Sequence, residues 1–274
     1  MDRPRLIISE GYNLHLDIVS EILEYVIITN RNSYTRKELS EEVGHGERMV
    51  KSVLNFGIAF GLFKKRTYAP TMLGNIIHKY DPFITDHGTL WVLHYVASSN
   101  PELLIWNKLF NTVLYESIDG QLTSLINHYD EVSEFVSKNT LKKNLRGELS
   151  SVLNAYSEQE FRKIGIISKD MDEYFGHNNQ PIDELIFLAL IYCFKEKFYP
   201  NISTIDIEFL VKEKNSPGKI GLLDSIYIRK ILEKLSSKKL IILETRADLD
   251  QIRFTEKMDF YNLLELYYGG QNEE

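Results

Sequence analysis

Apolar positions in the first sixty residues predict three short helices. From about Leu14 to Ile28, apolar side chains recur at helical spacing along one face. Thr35 and Glu38 then have the spacing of a capping box, which starts a second helix. A Gly44-His45-Gly46 break separates that helix from a third one, which begins near Glu47. Two short helices joined by a tight glycine turn are the helix-turn-helix pattern.

The segment after the third helix predicts a wing. Gly61-Leu62-Phe63 leads into the basic run Lys64–Arg66, and the chain leaves through Tyr68–Thr71. A further helical pattern ends at Asp81-Pro82, because a residue before proline is disfavoured in the helical region. We therefore predict an N-terminal winged helix-turn-helix over residues 1–82.

The central part of the chain, residues 83–160, is helical by its apolar period, with a break at Asn100-Pro101. Ser137 caps a long helix there, and Lys142, Lys143 and Arg146 are predicted on its outer face. Two interpretations stay open for that face. It is either a second recognition-type helix or the solvated side of an ordinary capped helix.

The last part, residues 161–274, repeats the first pattern. A buried helix at Asp183–Phe194 precedes a short capped segment at Ser203–Val211 and a helix capped by Asp224. Leu240–Leu243 and Gln251–Phe254 then read as a β-hairpin wing, followed by a closing helix. The predicted fold class is mainly α, with small β wings: tandem winged helix-turn-helix modules joined by a central helical region.

Composition and charge narrow the class of protein. The chain has 274 residues, of which 43% are hydrophobic, enough to bury a sizeable core. Its net charge of −7 means that any contact with nucleic acid must come from local basic patches. The one cysteine excludes a disulfide framework and a cysteine-rich zinc site. The apolar stretches are too short to cross a bilayer, so we expect a cytoplasmic protein without a membrane partner.

Residues that could carry chemistry are few. None of the common nucleotide-binding, metalloprotease or hydrolase motifs occurs, and we expect no cofactor, no metal site and no catalysis. The best metal candidate is His87 with His94 and Asp86, but a satisfied helix-end histidine is the default explanation. A third class, a metal-dependent nuclease, rests on the loosely spaced carboxylates Asp206, Glu208 and Glu213.

Basic residues on the first module give the favoured site. A recognition helix needs lysine and arginine for phosphates and polar side chains for base edges. The residues that meet this need are Arg48, Lys51, Ser52 and Asn55 on the third helix and Lys64, Lys65 and Arg66 on the wing. In the second wing, by contrast, Asp248 and Asp250 follow Arg246 and would repel phosphate within a Debye length of about 8–10 Å. We therefore expect the first module to face DNA and the second to face a protein.

Short motifs spread over most of the chain carry a resemblance to a known family. They are Thr89-Leu90-Trp91, Leu93-His94, Ser98-Ser99-Asn100-Pro101, Trp106, Phe110-Asn111, Ser137, Thr140-Leu141, Ser216-Pro217-Gly218 and Tyr267-Tyr268. In these the chain resembles a bacterial family of unknown function whose members occur beside genes for DNA phosphorothioate modification and related phage defence. The resemblance implies a context and no catalytic residues.

Two hypotheses follow from these patterns. The first is a non-catalytic, DNA-associated accessory or regulatory protein of such a system, with DNA as its partner. The alternative is an adaptor whose winged helices dock a modification or restriction enzyme.

Overall fold

A computed structural model describes residues 4–116, 119–129, 132, 134, 136–246, 249–254 and 258–271 of the chain. The described residues are mainly helical and include two small sheets, which confirms the predicted class of mainly α with small β elements. The chain divides into two compact units, Met1–Gly176 and His177–Glu274. Residues 161–176, which we assigned to the C-terminal module, belong to the first unit.

The first unit carries most of the helices. They are α1 (Leu16–Thr29), α2 (Arg36–Glu42), α3 (Glu47–Ala59), α4 (Met72–Tyr80), α5 (His87–Ser98), α6 (Leu104–Lys108), α7 (Leu114–Glu116), α8 (Leu122–Asn127) and α9 (Lys138–Ser157). A π-helical turn, Leu109–Val113, joins α6 to α7, and a 3₁₀ helix, Glu160–Ile164, follows α9.

Side-chain caps fix the starts of several helices where the sequence predicts them. The Thr35 hydroxyl accepts a hydrogen bond from the Glu38 amide at 3.2 Å, and the Glu38 carboxylate accepts one from the Thr35 amide at 3.4 Å. This is the predicted capping box at the start of α2. Ser137 caps α9 through a single bond of this kind, in which its hydroxyl accepts a hydrogen bond from the Thr140 amide. These predictions are confirmed.

An aromatic cluster forms the centre of the first unit. The rings of Trp106, Tyr156 and Phe161 lie with their centroids 5.0–6.0 Å apart, and Phe60 packs edge-on against Trp106 at 5.7 Å. All four side chains are fully buried. Edge-to-face and offset pairs at these distances add to the stabilisation from burial. The cluster joins α3, α6 and α9 to the 3₁₀ helix.

A small antiparallel sheet completes the first unit. Its strands are β1 (Asp119–Gln121), β2 (Ile167–Asp170) and β3 (Glu173–Gly176), in the order β1-β3-β2. This sheet is absent from the predicted elements, because strands of three or four residues are too short to show a clear alternation in the sequence.

The second unit combines helices with a second antiparallel sheet. Its elements are α10 (Glu184–Phe198), β4 (Thr204–Asp206), α11 (Ile207–Lys212), α12 (Pro217–Ile220), α13 (Ser225–Ser237), β5 (Ile241–Arg246), β6 (Leu249–Phe254) and α14 (Phe260–Gln271). The predicted hairpin is confirmed as β5 and β6, paired from Ile241 with Phe254 to Arg246 with Leu249.

The segment predicted as one capped stretch at Ser203–Val211 is split between a strand and a helix. Thr204–Asp206 form β4, which pairs with β6, and α11 starts only at Ile207. Ile205 is buried opposite Ile252. Pairing with a strand nearly fifty residues later overrides the local helical preference, so the period alone could not show it.

We predict that Gly218 is required for packing in the second unit. A Cβ atom at Gly218 would lie 2.4 Å from the Leu210 carbonyl oxygen and 2.5 Å from Ile228 Cδ1. Because the backbone of α11 cannot easily move away, Gly218→Ala should lower the free energy of unfolding by about 1–3 kcal/mol in urea denaturation.

Gly147→Ala is the matched control. A Cβ atom at Gly147 meets no atom within 4 Å, and the residue lies inside α9. This substitution should stabilise the protein by about 0.5–1 kcal/mol. Equal effects of the two substitutions would contradict the packing argument.

Candidate nucleic-acid interface

The polar side of α3 is covered by an N-terminal segment. We call residues Pro4–Asn13 the strap. Three of the four side chains predicted to read DNA from α3 instead contact the strap. These contacts are Asn55 Nδ2 to the Ile8 carbonyl (3.1 Å), Arg48 Nη2 to the Glu10 carbonyl (3.1 Å) and Lys51 Nζ to the Glu10 carboxylate (2.6 Å). The predicted grouping on one helix face is therefore observed, but each of these three side chains already makes a contact with the strap.

Ser52 corrects the prediction for the fourth side chain. We expected it in solvent, yet it is 0% exposed, and its hydroxyl has no hydrogen-bond partner within the described part of the chain. Ser52 shares a stripe of α3 with Phe56 and Ala59, which are also buried. The buried face of α3 is therefore wider than the apolar pattern predicts, and Ser52 lies within it.

The basic run of the predicted wing forms a tight turn rather than a two-stranded hairpin. One β-bridge, between Phe63 and Pro70, closes it. Lys64 and Arg66 are exposed. Lys65 forms an ion pair with Glu102, at 2.7 Å from Nζ to the carboxylate. The turn therefore presents less unpaired positive charge than the sequence suggests.

The strap is held from the opposite side by Glu148 of α9. One carboxylate oxygen accepts hydrogen bonds from the Ile8 and Ser9 amides at 3.0 Å each, and the other accepts one from the Ser9 hydroxyl at 2.9 Å. Glu148 is only 6% exposed. Burial raises its pKa above the ordinary value for glutamate, and the three hydrogen bonds offset part of that rise.

Further contacts hold both ends of the strap. Arg5 forms a parallel β-bridge with Leu103, and the Ser151 hydroxyl donates to the Tyr12 carbonyl at 3.1 Å. Leu6 and Ile8 of the strap are buried. The strap is thus an integral part of the first unit, packed between α3 and α9.

Glu148 was not among the site residues predicted from the sequence, although its position in an apolar stripe could have pointed to it. The buried stripe of α9 includes Leu141, Leu145 and Leu149, and Glu148 lies on the same side. A carboxylate within an apolar stripe needs hydrogen-bond donors from elsewhere in the fold. Its partners lie about 140 residues earlier in the chain, so the sequence could have indicated the need but not the source.

The outer face of α9 is the most uniformly basic surface among the described helices. Lys138, Lys142, Lys143 and Arg146 are exposed, and none has an ion pair in the described part of the chain. Positions four apart on a helix lie on the same side, so Lys138, Lys142 and Arg146 form a line. We call these four side chains the basic face. No acidic residue occurs in α9 before the buried Glu148.

Helix α13 of the second unit, in contrast to α9, has mixed charge. Lys230 and Lys234 are exposed, but they line a cavity that also includes Asp183, Glu184 and Glu233. Two further cations are neutralised: Arg229 pairs with Asp250, and Lys238 pairs with Glu184. Arg246 is the last residue of β5, and Asp248 lies outside the described residues.

The candidate residues for metal binding have structural partners. Asp86 caps α5 by accepting a hydrogen bond from the Thr89 amide at 2.8 Å. Glu208 pairs with Lys212, which lowers the pKa of its carboxyl group. Burial raises the pKa of the Cys193 thiol to about 12, which disfavours the thiolate that a nucleophile needs. Among the residues described, no three His, Cys, Asp or Glu side chains are grouped so that they could hold a metal ion.

Several residues that carry the family resemblance form a buried polar network. His94 Nδ1 lies 2.6 Å from the Tyr156 hydroxyl and 3.3 Å from the Ser98 hydroxyl. Asn107 and Asn111 both donate to the Ser98 carbonyl, at 2.8 and 3.3 Å. These side chains are buried beside the aromatic cluster. The motifs around α5 and α6 therefore specify the core, and they do not form a surface site.

We predict that Glu148 is needed to hold the strap. Glu148→Ala removes the acceptor of the Ile8 and Ser9 amides and leaves buried donors unpaired, which should cost about 1–3 kcal/mol of stability. Hydrogen exchange of these two amides, followed by NMR, should become faster.

Glu158→Ala is the control, because Glu158 follows the same helix but is half exposed, and its one ion pair among the described residues is with Lys169. A surface pair of this kind contributes about 0–1 kcal/mol. Unchanged protection of the Ile8 and Ser9 amides in the Glu148 variant would show that other contacts hold the strap.

Two solved structures share the fold of this chain. Two solved structures, described as "Magnesium ion-bound SspB crystal structure" and "SspB crystal structure", each match with a TM-score of 0.81 over 97% of this chain and 88% of theirs. The sequence identity is 15% in both cases, so the likeness shows the fold alone. No curated protein matches the chain. In the described residues, no helix is both long enough and apolar enough to cross a membrane.

The comparison with protein families covers most of the sequence. The family described as "Protein of unknown function (DUF4007)" matches residues 22–268. This confirms the expected membership in a family of unknown function. The protein belongs to the DUF4007 family.

Proposed function

We propose that the protein is a non-catalytic, DNA-associated accessory or regulatory protein of a bacterial DNA-modification and phage-defence system. Its first unit contacts duplex DNA. The observation that carries this proposal is the basic face of α9, where four exposed cations have no ion pair among the described residues. The resemblance of the sequence to a family found beside DNA phosphorothioate-modification genes supplies the biological context.

The dimensions of the basic face suit a phosphate backbone. Lys138 and Arg146 are separated by eight residues, or about 12 Å along the helix axis at 1.5 Å per residue. That length corresponds to roughly three to four base pairs at 3.4 Å per pair. The N-terminus of α9, with its partial positive charge, adds to the attraction at the end where Lys138 lies.

The arrangement of helices supports a winged helix-turn-helix in each unit. In the first unit this module consists of α1, α2, α3 and the turn at Phe63–Pro70, and in the second of α10, α11, α13 and the β5–β6 hairpin. The strap occupies the reading side of α3, so DNA contacts come from the basic face, with Lys64 and Arg66 as further phosphate contacts. The mixed charges around α13 favour a protein partner for the second unit.

We predict that charge reversal on the basic face weakens DNA binding. Lys142→Glu combined with Arg146→Glu replaces two attractions to phosphate with repulsions. Fluorescence anisotropy with a duplex should show at least an about tenfold weaker affinity and a log–log salt slope smaller in magnitude by about 2. For the wild type, four to six phosphate contacts predict a slope of about −3.6 to −5.4.

The matched control is Lys230→Glu with Lys234→Glu, which makes the same change of net charge on α13. This variant should bind DNA nearly as the wild type does. If it is the more damaging of the two, the second unit is the DNA-binding one. If the wild type binds no duplex at low salt, the DNA proposal is wrong.

We also predict that the protein does not cut DNA. One of the similar solved structures is bound to magnesium, but the described residues of this chain offer no group of three suitable ligands. The proposed function therefore includes no metal-dependent reaction. Plain and phosphorothioate-containing duplexes incubated with the protein and Mg²⁺ or Mn²⁺ should stay intact on denaturing gels. Cleavage that disappears in Asp206→Ala or Glu208→Ala, but not in Glu233→Ala, would show that the protein is a nuclease.

A further inference from the structure

A groove between α1 and α2 combines one exposed and two half-buried apolar side chains with carboxylates that have no ion pair in the described part of the chain. Its volume is about 470 Å³. The apolar part consists of Tyr25, Ile28 and Val43, and the carboxylates are Glu21, Glu24 and Glu42. We call this surface the acidic groove. It belongs entirely to the first unit and shares no residue with the strap or the basic face.

Ile28 is the most accessible apolar side chain of the acidic groove. Ile28 is 70% exposed, at the end of a helix whose other face is packed in the core. Tyr25 is half-buried, and its hydroxyl donates a hydrogen bond to the Glu38 carboxylate at 3.2 Å. This bond fixes the ring and leaves the apolar part of it available. A partner that covers Ile28 and Tyr25 would remove their apolar surface from water, which favours association.

The pattern of ion pairs sets the three groove carboxylates apart. Other acidic side chains on α1 and α2 have basic neighbours: Glu38 pairs with Arg31, Glu41 with Lys37, and Asp17 lies 3.8 Å from His15. Glu21, Glu24 and Glu42 have no such pair in the described part of the chain. The Arg31–Glu38 pair meets the Tyr25 hydroxyl at the edge of the groove. The three carboxylates that line the groove itself are left without such a pair in the described part of the chain.

We propose that the acidic groove binds a basic, amphipathic helical segment of a partner protein. Glu21 and Ile28 lie seven residues apart, or about 10 Å along α1, which matches two turns of a docked helix. Such a helix places apolar anchors at positions i, i+3, i+4 and i+7 into the groove, while flanking lysines and arginines meet the carboxylates. DNA is excluded from this surface by like charge. The interaction goes beyond the proposed function, because it gives the same unit a protein partner as well as DNA.

The test uses a synthetic peptide of sixteen residues with leucines at helical spacing on one face and lysines and arginines on the other. We expect it to bind the full chain and to shift the methyl NMR signals of Ile28 and Val43. Glu24→Lys with Glu42→Lys should weaken binding by at least about tenfold, or ~1.4 kcal/mol, because attractive pairs become repulsive. The milder double substitution Glu24→Gln with Glu42→Gln should also weaken peptide binding, but by less. It still tests the proposal if the lysine variant does not fold.

Two controls make the outcome decisive. Glu208→Lys with Glu233→Lys changes the net charge equally in the second unit and should leave peptide binding unchanged. A peptide of the same pattern with glutamates in place of its basic residues should not bind. The proposal is overturned if the basic peptide does not bind, if its signals map away from Ile28 and Val43, or if the groove variants bind it as tightly as the control.

Discussion

The buried carboxylate of Glu148 is the contact on which the arrangement of the first unit depends. A carboxylate inside a protein is unfavourable unless donors surround it, and here the Ile8 and Ser9 amides and the Ser9 hydroxyl supply them. Those same groups would be buried and unpaired without Glu148. The Glu148 carboxylate and the strap donors thus spare each other the free-energy cost of being buried without a hydrogen-bond partner. These bonds fix the strap against α9.

The position of the strap decides which charges of the unit can meet a ligand. Lys51 is within 2.6 Å of the Glu10 carboxylate, and Arg48 and Asn55 donate to strap carbonyls. The strap therefore presents to α3 what a nucleic acid would present, a negative charge and hydrogen-bond acceptors. The side chains that look like DNA readers in the sequence serve in the structure to hold the protein's own chain. The cations of α9 have no such counterpart among the described residues, and this is why the proposed interface moves from one helix to another.

The sequence predicted the features that depend on residues close together in the chain, and it did not predict those that depend on residues far apart. Helix starts at Thr35, Ser137 and Asp224 and the β5–β6 hairpin depend on neighbours a few residues away, and their patterns were sufficient. The burial of Ser52 and the pairing of β4 with β6 depend on distant segments and were missed.

The strap is the clearest long-range case, and its pattern was ambiguous. Leu6 and Ile8 are buried while Ile7 between them is 36% exposed, which is the alternation of an extended segment. Two buried residues are too few to define a strand by period, and the bridge that Arg5 forms is with Leu103, nearly a hundred residues on. The candidate site therefore could not be derived from α3 alone, because the segment that covers α3 carries no local signal of where it packs.

The net charge of −7 conceals a separation of charge within the first unit. On α9 the exposed cations stand without acidic neighbours on their own helix, whereas the unpaired carboxylates of α1 and α2 border an exposed isoleucine. Solubility alone does not require this separation. A surface on which positive and negative side chains alternate also keeps a protein in solution, with less repulsion between like charges. Keeping each sign on its own surface costs stability, since like charges four residues apart on a helix destabilise it by about 0.2–0.5 kcal/mol per pair. A cost of that kind is offset when each surface binds a partner of opposite charge. For the two proposed partners, DNA and a basic protein segment, the same separation would prevent competition, because each would be repelled by the surface that attracts the other.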